Sequence, residues 1–465
     1  MSRHSSVWTI ILACSSLGTP LCSAAVVYVR ATTPGTIHDG TSWSRAYQEI
    51  HPAISTAQPS DEVWVAAGVY IGTIKPTGPI GLYGGFAGTE TERSERKPTE
   101  NITILDGALS GSPIVELWHD CTIDGFTIRN GRGGGVRCAS GTSWISNNVI
   151  RANRAVEHGG GIYCREGTST VIVGNVIDGN NAPHGGAIEI RSTALIARNT
   201  IRGNSGMVGS GTVTCWGGPV RILSNLIVDN AAEGILLQNA QQYVVSSNVI
   251  AWNAGTGVNC GTQGVPSLIS GNTIVRNTNG VSNSGNSAVF ANNVIAFNFS
   301  VGCLGTGTLT DPVMRSNCIF GNREDFTSGL PWDWPDSTGQ NGNIKADPLL
   351  VNLGNLASSD YRLSFGSPCL DAGDDAFIEA GARDREGRLR IIGSHTDIGA
   401  HEYGVVDEYT VLDGYGALSA WGGFSAPGAD SYKHLNADRG GTSAQTIDMY
   451  DTVWIVRRAL GIDPA

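Results

Sequence analysis

The chain has 465 residues, 63 of them glycine, with 15% charged residues and a formal net charge of −11. An acidic, glycine-rich composition of this kind argues against nucleic-acid binding and against a helical bundle. At this length, one elongated core plus a small appendage is more natural than several globular domains. The first 25 residues read as a secretory signal peptide. Arg3 and His4 are its basic start, Val7 to Leu17 its apolar centre and Cys22-Ser-Ala-Ala25 its small-residue cleavage site. That apolar stretch is too short to span a bilayer, and no later segment could cross one as a helix. The expected destination is extracellular or the cell surface. Eight cysteines remain after Cys14 and Cys22 leave with the signal, and export permits some of them to pair.

The hexapeptide Asn-x-Ile-x-x-Asn occurs eight times, starting at Asn148, Asn175, Asn199, Asn225, Asn248, Asn272, Asn293 and Asn317. The starts are 21 to 27 residues apart, a drifting period that marks a solenoid whose loops absorb the differences. Each unit holds short β-branched runs broken by Gly and Asn, with no period of 3.6. The expected fold is therefore all-β, a right-handed parallel β-helix of about eleven coils over residues 102–370. The repeated Ile should form one inward column. By strand alternation the first Asn also faces inward, where stacked copies can bond in a ladder. The second Asn is expected to take the left-handed backbone that ends the strand.

A second strand follows each hexapeptide, for example Gly159–Cys164 and Gly185–Ile190. Aligning these segments stacks Val136, Ile162, Ile188, Val213 and Val258 inside, with Cys138, Cys164, Ile190, Cys215 and Cys260 two residues on. Cysteine alternating with Ile behaves as a small packing residue. A Cys138–Cys164 bridge fits parallel strands poorly. The residues between, Arg137, Tyr163, Glu189, Thr214 and Asn259, should point to solvent. In the late coils the outward residue after the Ile becomes apolar: Val228, Ala251, Val275, Ala296 and Phe320. Such a stripe should be covered by the Pro331-Trp-Asp-Trp334 loop, the C-terminal module or a partner chain.

Gly159-Gly-Gly-Ile162 and Gly185-Gly-Ala-Ile188, each after an Ile-x-x-Asn, resemble the repeats of polymorphic outer membrane proteins, with Ile in place of the usual Phe. Asp39-Gly-Thr-Ser-Trp43, Asp61-Glu-Val-Trp-Val65, Leu82-Tyr-Gly-Gly-Phe86 and Ile104-Leu-Asp-Gly107 resemble the opening of bacterial right-handed β-helix proteins. Ala346-Asp-Pro-Leu-Leu350, Tyr361 to Gly373 and Asp397-Ile-Gly-Ala400 resemble the closing coils of the same group. The resemblance covers 26–403: an N-terminal cap and first coils over 26–101, regular coils over 102–370 and a closing segment over 371–403. Residues 404–465 resemble a degenerate dockerin, a small helical module built on an EF-hand-like calcium loop. The resemblance implies Ca2+ ligation by Asn436, Asp438, Asp448 and Asp451 and a cohesin-like or cell-surface partner. His434 stands where the first Asp belongs, and residues 439–445 break the loop's fixed length, which puts calcium binding in doubt.

Charge distribution supplies the functional clue. Residues 121–221 hold ten Arg against five acids, a net +5, so the rest of the chain carries −16. Within that segment His158 and His184 each precede a Gly-Gly and should stack on adjacent rungs. A basic flank on an elongated coil suits an extended anionic polysaccharide, because the Arg fork grips carboxylates and sulfates at two points. The candidate binding set is Arg137, Arg151, His158, Tyr163, His184, Glu189 and Arg202. A polysaccharide lyase or glycoside hydrolase would need a base and a charge-neutralising group, or paired carboxylates. No carboxylate pair emerges; Asp178, with Arg151 and Arg202 as rung neighbours, is the nearest approach, and a surface ion ladder explains it equally. A spacer or adhesin without glycan binding is the third reading.

Overall fold

The computed structural model describes residues 24–404 apart from 34, 208, 240–241, 262–266, 285–287, 306–311 and 328–333. The signal region up to residue 23 and the dockerin-like segment from 405, with Asn436, Asp438, Asp448 and Asp451, lie outside the described residues.

Three parallel sheets of twelve, eleven and ten strands run the length of the molecule. Each coil contributes one strand to each: Thr142–Ser146 to the first, Val149–Arg151 to the second, Ile162–Cys164 to the third, before Ser169–Val173 begins the next coil. This is a parallel β-helix of about ten turns, roughly 50 Å long at the usual sheet spacing of ~4.8 Å. Its first sheet already begins at Val26–Val29, so the stacking starts well before the repeats become regular.

The eight Ile residues, Ile150 to Ile319, pair rung to rung in the second sheet, and all are fully buried. Both Asn positions build ladders. Asn148 Nδ2 donates to Asn175 Oδ1 at 3.1 Å, and Asn153 Nδ2 to Asn180 Oδ1 at 3.0 Å. Each receiving Oδ1 also accepts the main-chain N–H of the Asn one rung back. The left-handed backbone falls elsewhere than expected. It is the residue before each Asn, at all sixteen corners of the eight hexapeptides, that has φ between 47° and 66°. Ala152, Trp252, Arg276 and Phe297 are among them, so the fixed ladder imposes the corner on residues that do not favour it.

In the third sheet the inward column reads Cys138, Cys164, Ile190, Cys215, Leu237, Cys260. Leu237 belongs to Glu233–Gln238, a rung that lacks the Gly-Gly signal and that sequence alignment passes over. All eight described cysteines are free and buried, and Cys138 and Cys164 remain thiols. Burial pushes the Cys121 thiol up to about 11 and Cys215 higher still, so these side chains pack rather than react.

Stacking ends near Ile344, whose bridge to Cys318 extends the second sheet. Residues 346–403, which resemble closing coils, do not continue the stack. They fold back through an antiparallel pair, Leu350–Asn352 with Asp360–Leu363, and lie along the outside of the second sheet. There Leu363, Cys369, Ile398 and Ala400 pack on Val228, Ala251, Val275, Ala296 and Cys318 in a buried cluster distinct from the coil interior. Ala400 N donates to Thr273 Oγ1 at 2.9 Å, and Asp374 N to Asn292 Oδ1 at 2.7 Å. The apolar stripe is therefore covered by this segment of the chain itself; of the 331–334 loop only Trp334 is among the described residues. Trp334 instead turns into the coil interior, its ring 5.3 Å from Phe290. Within the cover, the buried Arg390 donates to Gly399 O, Asp397 O and Thr396 Oγ1 at 2.6 to 3.0 Å, fixing a segment with little regular structure.

Candidate functional site

Two residue columns share the outer face of the third sheet because alternate residues along a strand point the same way. One column is Glu116, Arg137, Tyr163, Glu189 and Thr214, paired rung to rung. The expectation that all of these meet solvent fails at two positions: Glu189 and Thr214 are fully buried. For Glu189 the cause is a set of close partners. Its carboxylate takes Arg191 Nε at 2.9 Å on one oxygen and faces His158 Nδ1 at 3.0 Å on the other. A carboxylate withdrawn from water requires such pairing.

His158 reaches Glu189 because the corner before each Gly-Gly brings its residue onto this face. A bridge pairs His158 with His184 on the next rung, and their rings stack at 5.7 Å. Tyr163 lies 5.2 Å from His158, and Trp216 stands edge-on to His184 at 6.4 Å. The Arg191 guanidinium sits 5.8 Å over the Tyr163 ring and 3.2 Å from His158 Nε2. Partial burial raises the Tyr163 phenol above its ordinary value, so it stays protonated and can donate a hydrogen bond. The result is a face of rings and cations whose geometry is pinned from beneath by a buried carboxylate.

Not every candidate joins this face. Arg137 does, paired with Glu116 at 3.7 Å. Arg151, Asp178 and Arg202 lie on the second sheet, on the half that the cover leaves open. There Arg202 meets Asp178 at 3.6 Å, an exposed pair of the ordinary kind. Sequence reasoning did not assign Arg165, Arg191, Trp118 or Trp216 to a site, although each lies two residues beyond a position in the outward column.

A family described as periplasmic copper-binding protein (NosD) matches residues 87–302, under half of the chain. Among solved structures the chain is similar to the pectate lyase Pel9A, at 15% identity and a TM-score of 0.52, covering 82% of this chain and 97% of that one. This chain is a parallel β-helix protein. The β-helix is also similar to the A-module of the mannuronan C-5 epimerase AlgE4 of Azotobacter vinelandii, at 15% identity, a TM-score of 0.40 and coverage of 66% and 90%. At these identities the likeness concerns fold alone. No curated protein matches the β-helix sequence. Among the described residues no helix is long and apolar enough to cross a membrane.

Proposed function

We propose that this β-helix is an exported protein that binds an extended, anionic polysaccharide on the outer face of its third sheet. The observation that carries the reading is the burial of Glu189 at an outward position, bonded to both Arg191 and His158. A carboxylate there lends nothing to the coil interior. It fixes a guanidinium and an imidazole beside Tyr163 and His184, and a preordered cation face loses little freedom when a ligand arrives. Arg forks suit carboxylate or sulfate groups, and aromatic rings suit the apolar faces of sugars. Arg151 and Arg202, exposed and on another sheet, serve solubility in this reading. Fold similarity to a pectate lyase is consistent with it but does not establish it.

Among the described residues the copper named in the matching family finds no cluster of ligands. Among the described residues no three His, Cys, Asp or Glu side chains converge on a point that could hold a metal. His158 Nδ1 is committed to Glu189, and the cysteines are locked in interior columns. Calcium in the C-terminal module, and a cohesin-like or cell-surface partner for it, remain part of the proposal on the resemblance of residues 404–465 to a dockerin.

The His158–Glu189 contact also supports a second reading, a lyase or glycosidase that uses His158 as an oriented proton carrier. One experiment addresses both: a panel of neutral, uronate and sulfated polysaccharides, measured for binding by calorimetry and for released products. Binding of anionic glycans alone, weakening with salt and at least tenfold in Arg191→Ala, is the expected result. Salt-insensitive binding, or unchanged affinity in Arg191→Ala, refutes the assignment of this face. Product release that vanishes in His158→Gln would establish catalysis.

A further inference from the structure

Beside the Tyr163–Glu189 column runs a second one. Main-chain bonds from Ala139 N to Leu117 O, Arg165 N to Cys138 O, Arg191 N to Cys164 O and Trp216 N to Ile190 O, at 2.7 to 3.0 Å, carry the ladder one residue past the strands. Trp118, Ala139, Arg165, Arg191 and Trp216 therefore occupy one register position on five successive rungs. The two indoles stand four rungs apart, ~19 Å at the sheet spacing. Between them come a small, buried Ala139 and two guanidiniums on adjacent rungs. Trp118 is 37% exposed, with Lys75 Nζ 5.1 Å over its ring. Among the described residues Arg165 makes no ion pair, whereas Arg191 is held by Glu189.

Resting on the anionic-glycan reading, we propose that the ligand is a polyuronate lying parallel to the coil axis, with sugars stacked on Trp118 and Trp216 and carboxylates on Arg165 and Arg191. The order of side chains carries this. A ligand crossing the coil would meet one rung, hence one Arg or one Trp, and would gain nothing from the repeat. A chain running along the axis meets ring, small side chain, fork, fork and ring in turn. Ala139, small and buried, adds no bulk between Trp118 and the two forks. A guanidinium pairs a planar carboxylate at two points, so adjacent Arg residues select a polymer whose acid groups recur along its length.

The test is calorimetric titration of the full chain, its Trp118→Ala, Trp216→Ala and Arg165→Ala variants, with oligouronates from two sugars to ten and a carboxyl-reduced decamer. Circular dichroism confirms the fold of each variant, and Trp118→Tyr should restore binding where Ala loses it. The expected result is that each Trp→Ala change weakens the decamer at least fivefold. The disaccharide, too short to reach both rings, should lose affinity in no more than one of them. Arg165→Ala should weaken the decamer, and the reduced decamer should bind at least tenfold more weakly than its acid form. Binding of acid oligomers that responds to Arg165→Ala but to neither Trp variant would overturn the axial path while leaving the anionic-glycan reading intact. Equal binding of the reduced decamer would overturn uronate selection, and absence of any oligouronate binding by the wild type would overturn both.

Discussion

The Asn ladder makes a sharp energetic prediction at Asn248. Its side chain is fully buried, and Nδ2 donates to Ile222 O at 2.8 Å, Ser246 O at 3.0 Å and Asn272 Oδ1 at 3.0 Å. Its Oδ1 accepts Asn225 N at 2.8 Å and Asn225 Nδ2 at 2.9 Å. Asn248→Ala removes all of these and strands the Asn225 main-chain N–H in the interior. An orphaned buried donor costs ~1–3 kcal/mol and each of the four further bonds lost ~1 kcal/mol, so the variant should lose about 5–7 kcal/mol. That is a large share of a typical domain stability of ~5–15 kcal/mol. The comparator is Asn239→Ala, an exposed residue with φ 66° and one bond to Trp216 O at 2.7 Å, which should cost ~1–2 kcal/mol from the lost bond and a left-handed Ala. Urea unfolding followed by circular dichroism measures both. Equal midpoints for the two variants would refute the view that the ladder, and not the Ile column alone, holds the coils in register.

Three further outcomes follow from the fold. Val275→Asp puts an unpaired charge beneath the cover, and limited proteolysis should then cut within 346–403 while the strand signal of the coils persists; continued protection would contradict the packing seen there. Ala152→Gly, at an exposed corner with φ 52°, should raise stability by up to ~1 kcal/mol, since a left-handed Ala costs more than the extra freedom of an unfolded Gly; a loss of that size would refute the strain. Burial, with the positive charges of Arg385 and Arg390 nearby, pushes His401 down to about 3. Its ordinary value is ~6.5, so between the two the unfolded cover takes up a proton that the folded one refuses. Stability is then lost as pH falls from ~6.5 towards 3, by up to ~1.4 kcal/mol per pH unit, and His401→Gln should flatten that acid limb in thermal scans.

What the sequence by itself determined is the repeating part. Asn-x-Ile-x-x-Asn puts each residue in the same surroundings as its copy one rung away, so one unit read locally fixes the inward Ile column and the first Asn ladder. The same periodicity placed Arg137, Tyr163 and Glu189 on one outward column and His158 beside His184. It also predicted a cover over Val228 to Phe320, because an exposed apolar stripe of that length is unfavourable. Alternation tells inside from outside, but it does not say what lies outside. That the cover is residues 346–403 depends on contacts such as Ala400 with Thr273, 127 residues apart in the chain. Glu189 is buried because a corner residue, His158, 31 positions earlier, and its near neighbour Arg191 close over it, which strand pattern cannot express. The left-handed backbone likewise falls on Ala152, Trp252 and Phe297, against their own preferences. The neighbouring Asn are held by bonds to other rungs, and those bonds exist only once the coils have stacked.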